Sequence, residues 1–349
     1  MKSVTVPFFI SHQGCPHTCV FCDQRAISGA SGALPTAGQI LDRIALWSST
    51  AGERPLEIAF FGGTFTALPQ EAQAELLLPL QPLLENGTLD SVRISTRPDC
   101  IDEDHVAWLA ERGVRTIELG VQSLDDAVLA ASGRGHTASD SLAAIRCIKK
   151  SGLQAGAQLM PGLPDDTPAS SLSSLEQVIA AGADFIRIYP TVVLKGTELA
   201  RRYAAGEFTP LTLDRGTYLC KILLQRAMQA GIPVIRIGLQ ADQGLDDESV
   251  LAGCRHPALG QLVRSGLYAD LVSRFVPPGQ HATVYCHPSR LADVVGMKRC
   301  NVQSQAGRGV RMQVVPDAAL KQDELKVETD ESSSVYSVVR DIHYSIHEV

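Results

Sequence analysis

The sequence has few aromatic residues, no long apolar run and no excess of positive charge. Phe, Trp and Tyr make up 5% of the 349 residues, and the formal net charge is −7. No segment reaches the roughly 18 to 20 apolar residues that a membrane-spanning helix needs, and the first residues lack the pattern of a signal peptide. These absences predict a cytoplasmic protein with no membrane partner. The negative charge provides no global field that would attract nucleic acid.

The sequence also lacks the even, well-spaced cysteines of a disulfide framework. It has 9 cysteines, and three of them, Cys15, Cys19 and Cys22, form a C-x3-C-x2-C loop after a predicted strand. Three close thiolates can bind three irons of a [4Fe–4S] cluster and leave the fourth iron open for a ligand. Zinc completed by His12 or His17 is the alternative, although two histidines within one short loop are poorly placed to close a tetrahedron.

Short β-rich runs alternate with helix-like stretches from residue 3 to about 240, which indicates βα units with parallel strands. The expected fold class is α/β, a partial (β/α)6 TIM-like barrel. Helices are predicted around 37–48, 70–84, 102–112, 124–150 with a break near 133–135, 168–181 and 213–230. Six strands are predicted, with a short seventh at Val234–Ile237: Val4–Ile10, Leu56–Phe61, Ser91–Thr96, Thr116–Val121, Leu153–Leu159 and Phe185–Tyr189.

The βα rhythm stops near residue 240. Beyond it, a helix-like stretch near 257–274 is mixed with β-rich runs near 281–286, 309–315 and 335–343, and the polar segment 328–334 is predicted to be a turn. We therefore expect two domains, a barrel over residues 1–240 and a smaller α+β domain over residues 241–349.

The cysteine spacing, with Phe21 just before the third cysteine, resembles the signature of the radical S-adenosylmethionine (SAM) enzymes. After the second predicted strand, the run Phe61-Gly62-Gly63-Thr64-Phe65 resembles the motif that contacts the methionine part of SAM in that superfamily. Glycines without side chains allow backbone to approach a ligand closely. The resemblance implies a radical SAM-type barrel, a [4Fe–4S] cluster on Cys15, Cys19 and Cys22, and SAM as the second cofactor.

Four further segments resemble, in order, parts of the Elongator catalytic subunit, a radical SAM tRNA uridine-modifying enzyme. They are Ser95 to Asp99, Glu118 to Ser123, Arg134 to Thr137 and Ile188 to Thr191. The resemblance implies tRNA as a partner. It does not include that family's acetyltransferase domain, so the complete carboxymethylation reaction is not expected of these residues.

Oxygen-independent coproporphyrinogen dehydrogenases and their haem-chaperone relatives share the cysteine spacing, the Gly120 to Ser123 run and Gly162-Leu163-Pro164. That resemblance implies that Gln122 contacts the SAM ribose and that Arg134 pairs with the SAM carboxylate, a role that suits a planar, bidentate guanidinium. Gln158 stands where those enzymes have a ribose-binding aspartate, which favours the Elongator resemblance. The complete predicted set of SAM-binding residues is Phe21, Gly62, Gly63, Thr64, Gln122, Arg134, Gln158 and Met160.

Tyr189 and Lys195 lie at and beyond the sixth strand, where a substrate would face the cluster, and they are the candidate catalytic residues. No second cluster or flavin motif is evident, which implies an external electron donor such as a flavodoxin or ferredoxin. Modest support for RNA comes from a basic segment with Asp293 as its one acid: Arg290, Lys298, Arg299, Arg308 and Arg311.

Three functions follow as hypotheses. The first is a radical SAM enzyme that cleaves SAM reductively to a 5′-deoxyadenosyl radical, which abstracts a substrate hydrogen, with tRNA modification as its setting. The second is a coproporphyrinogen dehydrogenase-like enzyme or a haem chaperone. The third is a non-catalytic binding protein with zinc in the cysteine loop.

Overall fold

A computed structural model of the protein describes residues 3–23, 33–239 and 249–348. Seven parallel strands form its main sheet, in the order β1-β2-β3-β4-β5-β6-β8. Their bounds are Val4–Phe9 (β1), Leu56–Phe61 (β2), Leu89–Thr96 (β3), Val114–Gln122 (β4), Gln154–Leu159 (β5), Phe185–Ile188 (β6) and, after the short strand Val192–Leu194 (β7), Val234–Ile237 (β8). Because all seven strands are parallel, their carboxyl ends lie along the same edge of the sheet.

Helices connect the strands, and most of them begin at a Thr or Asp whose side chain accepts a backbone N–H of the first turn. Caps of this kind are Thr36, Asp102, Asp125, Thr137, Thr167, Thr197 and Thr212. The helices of this part are Ala37–Ala51 (α1), Gln70–Leu77 (α2), Gln81–Glu85 (α3), Glu103–Glu111 (α4), Asp126–Ala131 (α5), Ala138–Lys150 (α6), Pro168–Ala180 (α7), Glu198–Ala204 (α8) and Leu213–Gln229 (α9).

A smaller α+β part follows. Its sheet has the order β11-β10-β12-β13, with β10 and β11 parallel and the other pairs antiparallel. The strands are Val250–Gly253 (β9), which pairs with β7 in a separate ribbon, then His281–Cys286 (β10), Arg311–Pro316 (β11), Glu324–Thr329 (β12) and Ser333–Ser337 (β13); the helices are Leu259–Phe275 (α10), Leu291–Val295 (α11) and Cys300–Gly307 (α12).

The predicted fold class is confirmed, and every predicted strand of the main sheet is present with its ends shifted by at most two residues. The predicted strand over 335–343 is wrong beyond residue 337, because the chain there turns away from the sheet. The segment 328–334, predicted to be a turn or exposed loop, contains the end of β12 and the start of β13 as well as the turn between them. The predicted domain boundary at residue 240 lies outside the described residues. Within the described ranges, no helix is long and apolar enough to cross a membrane.

Each strand of the barrel presents two chemically different faces. On β4, the side chains of Ile117, Leu119 and Val121 are fully buried in the apolar core. Thr116 and Glu118 alternate with them and therefore point to the opposite, concave face. The same alternation places Arg93 of β3 and Gln158 of β5 on the concave face, where they contact Glu118. The inside of the partial barrel is therefore polar and charged, while the outside packs against the helices.

The C-terminal strap, residues 338–348, ties the small part to α9. Gln225 is 5% exposed, and its Nε2 donates hydrogen bonds to the carbonyl oxygens of Val338 at 2.6 Å and Ile342 at 2.8 Å. One turn further along α9, the exposed Gln229 donates to Val339 O at 3.1 Å. One buried amide thus pairs with two backbone carbonyls of the strap.

We predict that Gln225→Leu destabilises the protein by about 1–3 kcal/mol, because the substitution keeps the side-chain size but leaves two buried carbonyls unpaired. Gln229→Leu is the matched control, and its cost should stay under about 1 kcal/mol, since water reaches that carbonyl. Urea unfolding followed by circular dichroism measures both free energies. Equal losses for the two variants would contradict this account of the strap.

Candidate functional site

The cysteine loop, residues 10–23, follows β1 and is fixed against the turn that follows β2. The amide of His12 donates to Gly62 O at 3.0 Å, and the amide of Thr64 donates to Gln13 O at 2.9 Å. The two turns are in backbone contact, because a Cβ on Gly63 would lie 2.5 Å from the carbonyl oxygens of Gln13 and Ile10. The glycine at 63 is therefore required by the close approach of the two loops.

The opposite side of the cysteine loop contacts α5 and α8. Val20 N donates to Ser132 O at 3.1 Å, and Leu199 N donates to Val20 O at 2.8 Å. The loop contributes Cys19, Val20 and Phe21 to a small apolar cluster, each 8% exposed, and Cys22 and Met160 pack against it. The other buried members come from α5, the turn after β5, β7 and α8: Val128, Leu163, Val193, Leu199 and Ala200. This apolar cluster keeps water from one side of the thiols.

The thiols of Cys19 and Cys15 each lie beside a hydrogen-bonding group of another loop. Cys19 is buried, and its Sγ accepts a hydrogen bond from Nη1 of Arg134 at 3.2 Å. Cys15 is exposed, and its Sγ lies 3.4 Å from Oγ1 of Thr64. The third, Cys22, is half-buried.

His12 and His17 lie in the cysteine loop together with the three thiols. In the described part of the chain, no three His, Cys, Asp or Glu side chains converge to hold one metal ion. His12 lies 3.9 Å from Asp23, and the ring of His17 packs against Gly135. Each of the two histidines thus contacts a group other than the three thiols.

Two buried arginines lie beside the cysteine loop. Besides its contact with Cys19, Arg134 donates from Nη2 to Gly120 O at 2.6 Å, and its buried Nε has no partner among the described residues. Arg97 is clamped by Asp99 through two hydrogen bonds of 3.0 and 2.9 Å and donates to the carbonyl oxygen of Arg134. Arg97 lies in the segment Ser95 to Asp99, which the sequence analysis identified. Its contact with Arg134 joins residues 37 positions apart, so the sequence alone did not predict it.

Gln122 ends β4 in a left-handed conformation, with φ +67°, at an irregularity in the pairing with β5. A residue other than glycine rarely adopts this backbone conformation, and such strain clusters at functional sites. The carbonyl oxygen of Gln122 accepts from Met160 N at 2.8 Å, while no residue in the described part of the chain pairs with its buried side-chain Oε1. Gln122 Oε1 and Arg134 Nε are thus an acceptor and a donor that a bound polar molecule would satisfy.

We call the end of the barrel at the carboxyl ends of its strands the mouth. Below the mouth, the concave face carries a network of charged side chains around Glu118, which is fully buried. Its carboxylate forms ion pairs of 2.7 Å with both Arg93 and Arg187 and accepts from Gln158 Nε2 at 2.9 Å. Arg187 also donates to the hydroxyl of Tyr189 at 3.3 Å, and burial raises the pKa of that phenol. Gln158 is therefore held with its Oε1 turned away from Glu118.

The structure brings most of the predicted site residues to one end of the barrel. Gly62, Gly63, Thr64, Gln122, Arg134 and Met160 surround the cysteine loop, and Phe21 lies in the apolar cluster beside it. Gln158 and Tyr189 lie on the concave face. Lys195 is exposed, and no hydrogen bond or ion pair joins its ammonium to another described residue, so the contacts do not link it to Tyr189.

Two family models match this chain. One, described as the radical SAM superfamily, covers residues 9–177, and the other, described as the radical SAM C-terminal domain, covers residues 183–269. An uncharacterised protein of Methanocaldococcus jannaschii is 30% identical over 218 residues, which are 59% of this chain and 66% of that protein. A tRNA uridine(34) acetyltransferase of Methanocaldococcus infernus is 30% identical over 175 residues, which are 44% of this chain and 33% of that protein.

Among solved structures, the archaeal Elp3 of Methanocaldococcus infernus with an N-terminal deletion has a TM-score of 0.62 at 23% identity, covering 78% of this chain and 63% of that one. This likeness shows the fold and agrees with a partial barrel of the radical SAM type. The matched part of this chain spans less than two thirds of the three proteins, at 66%, 33% and 63% of their lengths.

Replacing Glu118 tests the buried charge network. Glu118→Gln keeps the shape but removes the fully buried carboxylate that pairs with two half-buried arginines, so we predict a loss of about 3–5 kcal/mol in unfolding free energy. Glu198→Gln is the control, because Glu198 pairs with Arg201 and Arg202 on the exposed face of α8 and should leave the urea midpoint near that of the wild type. A wild-type midpoint for Glu118→Gln would contradict the network.

His136 makes folding sensitive to pH. It is 5% exposed, and burial, followed by the charges of Arg134 and Arg97, lowers its pKa to about 4. Since the unfolded pKa is about 6.5, the folded protein binds fewer protons between these values. Stability is therefore complete above about pH 6.5 and falls as the pH drops towards 4.

We predict that the change in unfolding free energy between pH 7 and pH 5 is about 2 kcal/mol smaller in His136→Gln than in the wild type. Urea titrations at the two pH values, at equal iron content, measure this difference. His281→Gln, at an exposed histidine, is the matched control and should keep the wild-type pH dependence. An unchanged pH dependence in His136→Gln would show that His136 is not held neutral.

Proposed function

The chain belongs to the radical SAM superfamily of enzymes, and from this premise we propose that Cys15, Cys19 and Cys22 bind a [4Fe–4S] cluster at which SAM is cleaved. When bound, the cluster and SAM supply one-electron chemistry that yields methionine and a 5′-deoxyadenosyl radical, which abstracts a hydrogen atom from the substrate. The observation that carries the proposal is the contact of the cysteine loop with the Gly62–Thr64 turn on one side and with Arg134 on the other.

We assign the surrounding residues to different parts of the SAM molecule. In the proposal, Gly62 and Gly63 bring backbone against the methionine part, and the unpaired Nε of Arg134 donates to the carboxylate. Gln122 Oε1, also unpaired, and Gln158 Oε1, which Glu118 holds turned away, accept from the ribose hydroxyls. Thr64 and Met160 hold the adjoining backbone in place, and Phe21 closes the apolar side.

The concave face sets how deep a substrate can reach. Arg93, Glu118 and Arg187 fill the barrel below the mouth with ion pairs, so the reacting atom is presented at the level of Tyr189. We assign Tyr189 and Lys195 to the substrate side of the site. We also propose that residues 1–240 form the catalytic domain and that residues 241–349 form a domain of its own beside it.

The proposed substrate is tRNA, and the proposed reductant is a flavodoxin or ferredoxin of a reducing, cytoplasmic compartment. The name of the Methanocaldococcus infernus relative, a tRNA uridine(34) acetyltransferase, supports this substrate. The basic segment offers fewer side chains for RNA binding than its composition suggests. Arg308 donates to the carbonyl oxygens of Ser273 and Val276, so its role is structural. Lys298 and Arg299 are exposed, and we propose that they contact phosphates.

The cluster and SAM cleavage are tested together. Anaerobically reconstituted protein, reduced with dithionite in the presence of SAM, should produce 5′-deoxyadenosine, and the variant with Cys15→Ala, Cys19→Ala and Cys22→Ala should produce none. Cys300→Ala is the matched control, because Cys300 is exposed and remote in sequence. It should keep the iron, the sulfide and the product of the wild type. Full iron and sulfide in the triple variant would contradict the ligand assignment.

The RNA proposal is tested by salt-dependent binding of tRNA. Lys298 and Arg299 have left-handed backbone, with φ of 51° and 64°, so changing both to Gly removes the charges without adding strain. If both contact phosphates, the slope of log K against log salt should fall by about 2. Lys321→Gln, at an exposed lysine of the small part, should leave it unchanged. If the protein converts coproporphyrinogen and does not bind tRNA, the coproporphyrinogen dehydrogenase-like function is supported instead.

A further inference from the structure

We infer that Thr64 and Arg134 set the reduction potential of the cluster by donating hydrogen bonds to two of its cysteine ligands. The inference rests on the proposed function, since it takes Cys15 and Cys19 as ligands. It assigns to both residues a task apart from holding SAM. The reduction potential of an iron–sulfur cluster depends on hydrogen bonds to its sulfurs, on charge and on exposure to solvent.

Arg134 is placed to donate to sulfur with or without SAM. Its Nη1 lies 3.2 Å from Cys19 Sγ, and the two residues are 6% and 8% exposed. Its Nη2 is held by Gly120 O at 2.6 Å, and Arg97, itself clamped by Asp99, holds its backbone carbonyl. Because the guanidinium is fixed at these points, the contact with sulfur is part of the fold. Water is largely absent there, which strengthens the interaction.

Thr64 approaches the other sulfur from the turn after β2. The residue is 1% exposed, and its Oγ1 lies 3.4 Å from Cys15 Sγ. A cysteine that binds metal does so as a thiolate, which has no proton to donate. The hydroxyl of Thr64 must therefore be the donor of this hydrogen bond. The bond between Thr64 N and Gln13 O, at 2.9 Å, fixes the threonine relative to the cysteine loop.

The direction of the effect follows from charge. The reductant adds one electron to the cluster, and the added charge is shared with the sulfurs, which become better hydrogen-bond acceptors. A donor therefore stabilises the reduced form more than the oxidised form and raises the reduction potential. Removing either donor should make the potential more negative, so that a given reductant reduces a smaller fraction of the protein.

The test is a redox titration of reconstituted protein without SAM. The reduced cluster is quantified at each potential by its electron paramagnetic resonance signal. Leaving out SAM separates this role from SAM binding. Thr64→Val and Arg134→Met should each lower the ratio of reduced to oxidised cluster at a fixed applied potential, and a tenfold drop corresponds to a shift of 59 mV. Thr64→Ser keeps the hydroxyl and should retain the wild-type potential.

Two controls separate hydrogen bonding to sulfur from general changes near the loop. Thr66→Val removes a buried hydroxyl that pairs with Thr96, and Arg202→Met removes an arginine that donates to Ala131 O on α5. Both should keep the wild-type potential. Arg134→Lys keeps the charge but lacks the planar fork, so a potential near that of Arg134→Met supports the hydrogen bond.

The inference is overturned if Thr64→Val and Arg134→Met, each with full iron and sulfide, titrate at the wild-type potential. A wild-type potential in Arg134→Lys would overturn the hydrogen bond as the cause at that residue, since charge alone would then suffice. Failure of the wild-type protein to assemble any cluster would overturn the proposed function itself, and it is recognised by iron and sulfide analysis before any titration. The two failures are therefore distinguishable.

Discussion

The partial barrel depends on satisfying one fully buried carboxylate, that of Glu118, inside the curve of its sheet. A lone buried charge is costly, so its partners must arrive with good geometry. Its direct partners are Arg93, Gln158 and Arg187. Arg93 also pairs with Glu57, which accepts from Thr5, so each of the strands β1 to β6 contributes one residue to this series of hydrogen bonds and ion pairs. A slip of one residue in any strand would turn its member of this series towards the helices. The charge network therefore specifies the register of the sheet in addition to the apolar core.

The register of the sheet in turn fixes the mouth of the barrel. Beyond Glu118 on β4, a Cβ on Gly120 would lie 2.9 Å from Nε2 of Gln122 and 3.3 Å from Nη2 of Arg134, so these groups meet at the end of the strand. Gly120 presents the carbonyl that holds Arg134, and Gln122 presents an unpaired Oε1. The cysteine loop follows β1 at the same edge. The candidate site therefore adjoins the charged concave face of the barrel, at the carboxyl end of β4.

Local sequence was sufficient to predict the strands, because apolar runs such as Leu56–Phe61 carry their own signal, and the C-x3-C-x2-C loop was evident from spacing. It could not predict the ribbon of β7 and β9, whose short strands pair across 50 or more intervening residues. The contact of Arg134 with Cys19 joins positions 115 apart, and that of Arg187 with Glu118 joins positions 69 apart. Such pairs depend on which strands become neighbours, and that is a property of the whole fold.

The electrostatics of the mouth connect the fold to the proposed cluster. Arg97 and Arg134 are both buried, and within the described residues one carboxylate, that of Asp99, forms an ion pair with this pair of arginines. Burial, together with the charges of these two arginines, lowers the pKa of His136 to about 4. Thiolates that bind a cluster supply the negative charge that balances the second arginine, and a group that binds the folded state alone stabilises it by mass action. In the proposed holoenzyme, the cluster is then a structural counter-charge for Arg134 as well as the reactive group, so the residue that tunes the cluster also makes the fold depend on it.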